Sequence, residues 1–162
     1  MSEIRKPISS ESVAWEEFSE GTRFGSRFKH LTKAVMGTNY HVGMAIEELP
    51  PGKQSCPLHY HMLEEEHILI LEGTLTLRLG EEKIAMKAGD YVCFPAGQTA
   101  GHCLLNEGDK SCRYVIVGER EPNEVCVYPD SNKVMVRALA RQNDIFDMAA
   151  TKDYWDGEKT RS

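Results

Sequence analysis

The chain has no CxxC pair, and its cysteines, Cys56, Cys93, Cys103, Cys112 and Cys126, are odd in number. That pattern disfavours a disulfide framework or a thiolate zinc site. It suits small buried residues in a reducing cell, with Cys56 set apart because it lies just before a histidine cluster. Long apolar runs are also missing. The longest, Ile68-Leu69-Ile70-Leu71, is far too short for a membrane span, and no apolar segment follows the charges of Met1-Ser2-Glu3-Ile4-Arg5-Lys6-Pro7. No signal peptide and no membrane partner are expected, and the predicted location is cytoplasmic. Basic charge is in deficit: 19 Lys and Arg stand against 25 Asp and Glu, a net charge of −6. This balance disfavours nucleic acid and anionic membrane surfaces as partners. Neither an internal repeat nor a low-complexity tract is present.

What remains is globular. At 162 residues, with 41% hydrophobic and 27% charged, the chain suits one domain with a core that needs no disulfides. Short strand patterns fill residues 39–137. Tyr40–Leu49 alternates in part, with Val42, Met44 and Ile46 on one face, and stops at Pro50-Pro51-Gly52. Glu66–Leu71, Thr74–Leu79, Lys83–Lys87, Tyr91–Phe94, Gly101–Leu105, Arg113–Val117, Val125–Tyr128 and Val134–Arg137 follow. Turn signals every 8–12 residues predict an all-β antiparallel sandwich or barrel. Ile68, Ile70, Leu75 and Leu77 are its expected core. Both faces of Glu66–Leu71 are apolar, so a sheet, a flank or a second subunit should cover the outer one. The flanks, 1–38 and 138–162, are less periodic and should pack on the barrel or a partner through Trp15, Phe18, Phe24, Phe28, Tyr154 and Trp155. Asp144 could cap a short helix bearing Ile145, Phe146 and Met148.

Three of the six histidines fall between positions 59 and 67. In His59-Tyr60-His61 the two imidazoles share one face of an extended segment. Glu66 lies at an odd offset from His61, so a bend at Met62-Leu63-Glu64 is needed to turn it to the same side. Gly89, Pro95 and Gly97 shape a hairpin leading to His102. Two histidines, a carboxylate and a distant third histidine suit a borderline divalent metal. Glu64 and Glu65 are read as a solvated charged turn, His67 as a packing or interface residue, and Tyr60 as structural. Arg23, Arg27 and Lys29 are read as a solvated basic face.

These residues resemble the cupin family. The first cupin motif reads here Gly52…His59-Tyr60-His61…Glu66…Gly73, and the second Gly89…Pro95-Ala96-Gly97…His102…Asn106. Two spacings are longer than usual: Gly52 to His59 by one residue and Gly97 to His102 by two. The resemblance implies a double-stranded β-helix, or jelly-roll barrel, with His59, His61, Glu66 and His102 as metal ligands. Only Glu66, among the three acids of its run, has the six-residue spacing to Gly73. The implied cofactor is a divalent ion such as Zn, Mn, Fe or Ni. The motif context is similar to a bacterial subgroup of small single-domain cupins, often labelled as candidate sugar-phosphate isomerases, and cupins often form homodimers. The expected function is therefore a metal-binding cupin acting on a small polar molecule, such as a sugar-phosphate isomerase. Glu66 or a nearby base would move the proton. A metal-dependent oxygenase and a non-catalytic sensing cupin are the alternatives, and a mere scaffold would leave the four residues unexplained. Phosphate recognition needs a cation, and Arg78 and Arg113 are its parity-dependent candidates, neither of them secure in the pocket.

Overall fold

The computed structural model describes residues 5–139 and 144–159. Strands β1 (Glu16–Glu20) and β2 (Phe24–His30) lead through a short helix, α1 (Leu31–Met36), to β3 (Val42–Leu49). The two-residue β4 (Tyr60–His61) precedes β5 (Glu66–Glu72), β6 (Thr74–Leu79), β7 (Glu82–Lys87) and β8 (Tyr91–Phe94). Then come β9 (His102–Leu105), β10 (Cys112–Glu119), β11 (Val125–Tyr128), β12 (Lys133–Val136) and β13 (Ile145–Asp147).

One wall is a six-stranded antiparallel sheet in the order β1-β2-β3-β10-β5-β8. The other is made of the sheets β7-β6-β9 and β13-β12-β11-β4. They join where His59 and His102 exchange backbone hydrogen bonds, at 3.2 and 2.7 Å. Period-two alternation drives Leu49, Ile68, Ile70, Leu75, Leu77, Leu104 and Tyr114 into one shared core. Each such side chain contributes about 1.5–3 kcal/mol by leaving water. This is the all-β architecture expected from the strand pattern.

Several details differ from the sequence expectations. The segment after Asp144 is strand β13, not a helix, with Phe146 opposite Val134. Three apolar residues cannot sustain a helix, while the open edge of β12 offers backbone partners. The N-terminal flank adds β1 and β2 to the main sheet, with Phe28 opposite Glu47. Lys29 is buried rather than solvated: its Nζ donates to Ser10 O at 3.0 Å and lies 4.9 Å from the Trp15 ring centre. In β3 the face bearing Val42 and Met44 is the exposed one, and Ala45, Glu47 and Leu49 point inward with Tyr114. Cys93 is exposed, while Cys103, Cys112 and Cys126 are buried as expected. Tyr154 and Trp155 are exposed in this chain and stack edge to face at 4.8 Å. Among the described residues no helix is long and apolar enough to cross a membrane.

Candidate metal centre

His59 and His61 flank Tyr60 on the short extended segment that closes the second wall. The chain then bends through Met62–Glu65 and crosses to the other wall, where Glu66 opens β5. The odd offset from His61 is thus resolved by a change of sheet, because facing walls present their inner residues to each other. His102 opens β9 beside His59, and its ring lies flat on Phe94, with centroids 3.6 Å apart and planes 1° from parallel.

The structure brings the four residues together. Glu66 Oε2 lies 3.0 Å from His102 Nε2, 3.6 Å from His61 Nε2 and 3.9 Å from His59 Nε2. One ligand atom from each lies within 4.8 Å of all the others. Ligands about 2.1 Å from a shared zinc-like ion stand roughly 3–4 Å apart, so the set fits a divalent cation.

The far sides of the rings fit the same role. His59 Nδ1 donates to Pro57 O at 3.0 Å, which leaves Nε2 with its lone pair. His61 Nδ1 lies 3.3 Å from Glu124 Oε1 and 3.5 Å from Glu64 Oε2. Both nitrogens of this buried ring lack a hydrogen bond of good geometry, and a cation at Nε2 would satisfy one of them. Burial holds the His102 imidazole below its ordinary pKa against the raising effect of Glu66, so it is neutral and able to ligate. Burial alone would push the Glu66 carboxyl up, but hydrogen bonding from His102 and the adjacent His61 and His59 hold it well below the usual range.

Sequence reasoning missed three carboxyl groups. Glu124 is 0% exposed and accepts from Met62 N at 2.9 Å and Leu63 N at 3.0 Å, fixing the bend between the walls. Glu64, expected in a solvated turn, is buried between Arg137 and the amide of Glu121, 2.6 Å away. Glu47 accepts from the buried Tyr114 hydroxyl at 2.7 Å, and burial raises its pKa. Parity in β3 was the only signal for Glu47, and nothing local marks Glu124. Cys56 Sγ sits 3.6 Å from His59 Nδ1, but burial pushes its thiol up to about 12, so it offers no thiolate.

Two cavities meet at this cluster. One, of about 310 Å3, is mainly apolar, with Phe18, Phe28, Ile68 and Leu104 beside His59, Glu66 and His102. The other, of about 380 Å3, reaches Glu66 and His61 past Tyr40, Gly43, Arg120 and Arg137. Glu47 and Glu66 line both. Arg78 and Arg113 line neither. Arg78 is bidentate to Asp130, at 2.5 and 3.0 Å, and Arg113 pairs with Glu48 and Glu72. Arg120 and Arg137 are the cavity's arginines, and sequence parity did not find them because both follow the strands that carry them.

Residues 45–118 match the family described as the cupin domain. Over these residues the chain is a cupin domain. This cupin is similar to a sugar phosphate isomerase of the superfamily from Silicibacter pomeroyi, at 25% identity and a TM-score of 0.77, covering 93% of this chain and 98% of that one. It is similar also to a candidate sugar phosphate isomerase from Acidithiobacillus ferrooxidans, at 27% identity and a TM-score of 0.76, covering 88% and 90%. Over 102 residues it is 31% identical to quercetin 2,3-dioxygenase of Bacillus subtilis (strain 168), covering 61% of this cupin. The match spans only 30% of that relative's length. The fold is a double-stranded β-helix.

Proposed function

We propose that this cupin is a metal-dependent enzyme that isomerises a small phosphorylated sugar. The observation that carries the reading is the convergence of three imidazole Nε2 atoms on Glu66 Oε2 where two cavities meet. His59, His61, His102 and Glu66 would hold a divalent ion such as Zn, Mn, Fe or Ni. Such an ion, when bound, polarises a substrate carbonyl and stabilises negative charge developing on its oxygen. Glu66, as a ligand held ionised, is a weak base. Glu47, with its raised pKa and Tyr114 beside it, is better matched to take the proton from carbon and return it to the neighbouring carbon. Phe18, Phe28 and Ile68 exclude water from that side. The two sugar phosphate isomerase relatives, matched over most of their length, support this reading.

The test is interconversion of aldose and ketose phosphates by protein whose metal content is set by elemental analysis. Turnover that is lost in Glu66→Gln and Glu47→Gln is expected; no turnover with any of the four metals rejects the reading. The apolar cavity favours a second one, oxygenation of a flat apolar substrate, and oxygen uptake with a flavonol separates the two. We further propose a cytoplasmic homodimer. Five free thiols suit a reducing compartment, and the outer face of the six-stranded sheet exposes Met44, Leu69 and Tyr91.

A further inference from the structure

Two glycines lie side by side next to Glu66. In the register of the six-stranded sheet, Gly118 is opposite Gly43 on one side and Glu66 on the other. Neither carries a side chain, so the second cavity reaches the Glu66 carboxylate across bare backbone. A Cβ on Gly118 would stand 3.3 Å from Glu66 Oε1, and one on Gly43 would stand 3.1 Å from the Tyr40 ring. These glycines therefore admit the carboxylate at one end and the Tyr40 ring at the other.

Arg120 stands two residues beyond Gly118, and its amide donates to His41 O at 2.8 Å, which prolongs the ladder past β10. Its guanidinium is seated on Tyr40: Cζ lies 4.8 Å from the ring centre, and NH1 donates to the phenol oxygen at 2.9 Å. Among the described residues, Arg27, Arg78, Arg113 and Arg137 each have a carboxylate partner, and Arg120 has none within 4.0 Å. The acids that share its cavity are otherwise engaged. Glu64 pairs with Arg137, Glu119 accepts from Glu65 N at 3.0 Å, Glu47 accepts from Tyr114, and Glu66 faces the imidazoles. A guanidinium held in place by an aromatic ring, with donors to spare, is pre-organised for a planar or tetrahedral oxyanion.

We propose that Arg120, seated on Tyr40, anchors the oxyanion end of the substrate, a phosphate ester or a carboxylate. The reacting end of that molecule would cross the Gly43–Gly118 floor to the histidine cluster. Two residues along a strand span about 7 Å, the length of a short carbon chain. The inference deepens the isomerase reading and rests on it for the nature of the reacting end.

The test is equilibrium dialysis of the purified chain against labelled inorganic phosphate and labelled acetate, with metal content matched between variants. Arg120→Gln should weaken anion binding about tenfold or more, and Arg120→Lys by less, because it keeps the charge but loses the fork. Lys83→Gln, which removes a surface charge on β7, should change nothing. Preference for phosphate identifies an ester, and preference for acetate identifies a carboxylate. Unchanged affinity in Arg120→Gln, or an equal loss in Lys83→Gln, overturns the subsite. Sugar-phosphate turnover is not the readout. The isomerase reading can therefore fail while Arg120-dependent binding stands, and turnover alongside unchanged anion affinity in Arg120→Gln rejects the subsite alone.

Discussion

At the scale of the residue, the polar groups behind His61 matter as much as the ring itself. Glu124 approaches His61 Nδ1 while accepting two backbone amides from the bend that follows it. Glu124→Gln keeps the shape but turns one acceptor into a donor that faces an amide. Its metal affinity should fall about 10–100-fold in chelator competition. Chemical unfolding of the stripped protein should show a loss of about 1–3 kcal/mol, since the amides of the bend lose a charged acceptor. Glu47 sets a pH dependence of the opposite kind from a salt-bridged acid. Burial raises its folded pKa above the unfolded value of 4.5, so its stabilising contribution is full below that pH and is lost as pH rises through the folded value. Glu47→Gln, which can still accept from Tyr114, should therefore gain stability relative to the parent as pH rises above 4.5. Denaturant midpoints of the two proteins that run parallel with pH would contradict this.

At the scale of the element, the strand pattern was legible because alternation and turn glycines are local properties. Thr74–Leu79, Tyr91–Phe94 and Val125–Tyr128 have the bounds expected from the sequence. The corner between β5 and β6 shows why a glycine stands in the motif. Gly73 has φ of +81°, and a Cβ there would lie 2.9 Å from Ser111 O. Gly73→Ala should cost about 1–3 kcal/mol and lower the thermal midpoint, because both the backbone conformation and the close approach oppose a side chain. The two-residue β4 lies in the segment His59-Tyr60-His61 that the sequence marks as extended, and it pairs with β11. The strand β13 was not legible as such, because it is extended by β12 beside it and not by its own alternation.

At the scale of the whole molecule, the backbone pair His59 and His102 joins the two smaller sheets, and two metal-ligand candidates are placed at that seam. The bridge that joins these sheets thus also sets His59 beside His102. The outer face of the six-stranded sheet is the surface of the proposed homodimer. Leu69 is 41% exposed and Tyr91, its neighbour on β8, 59%. Covering such residues with a second copy would remove apolar surface from water. Leu69→Lys should shift the protein from dimer to monomer in light scattering at micromolar concentration, with its metal content unchanged. A parent protein that is itself monomeric would reject the homodimer.

The succession of strands through residues 39–137, the candidate ligands His59, His61, Glu66 and His102, and the motif glycines were readable from sequence. They depend on spacing along one chain and on which residue types can bind a cation or adopt positive φ. The buried partners Glu124 and Glu64, the inward face of β3 with Glu47, and Arg120 over Tyr40 were decided by tertiary structure alone. Each depends on which distant strand lies alongside, since sheet pairing sets burial and contact for residues far apart in sequence.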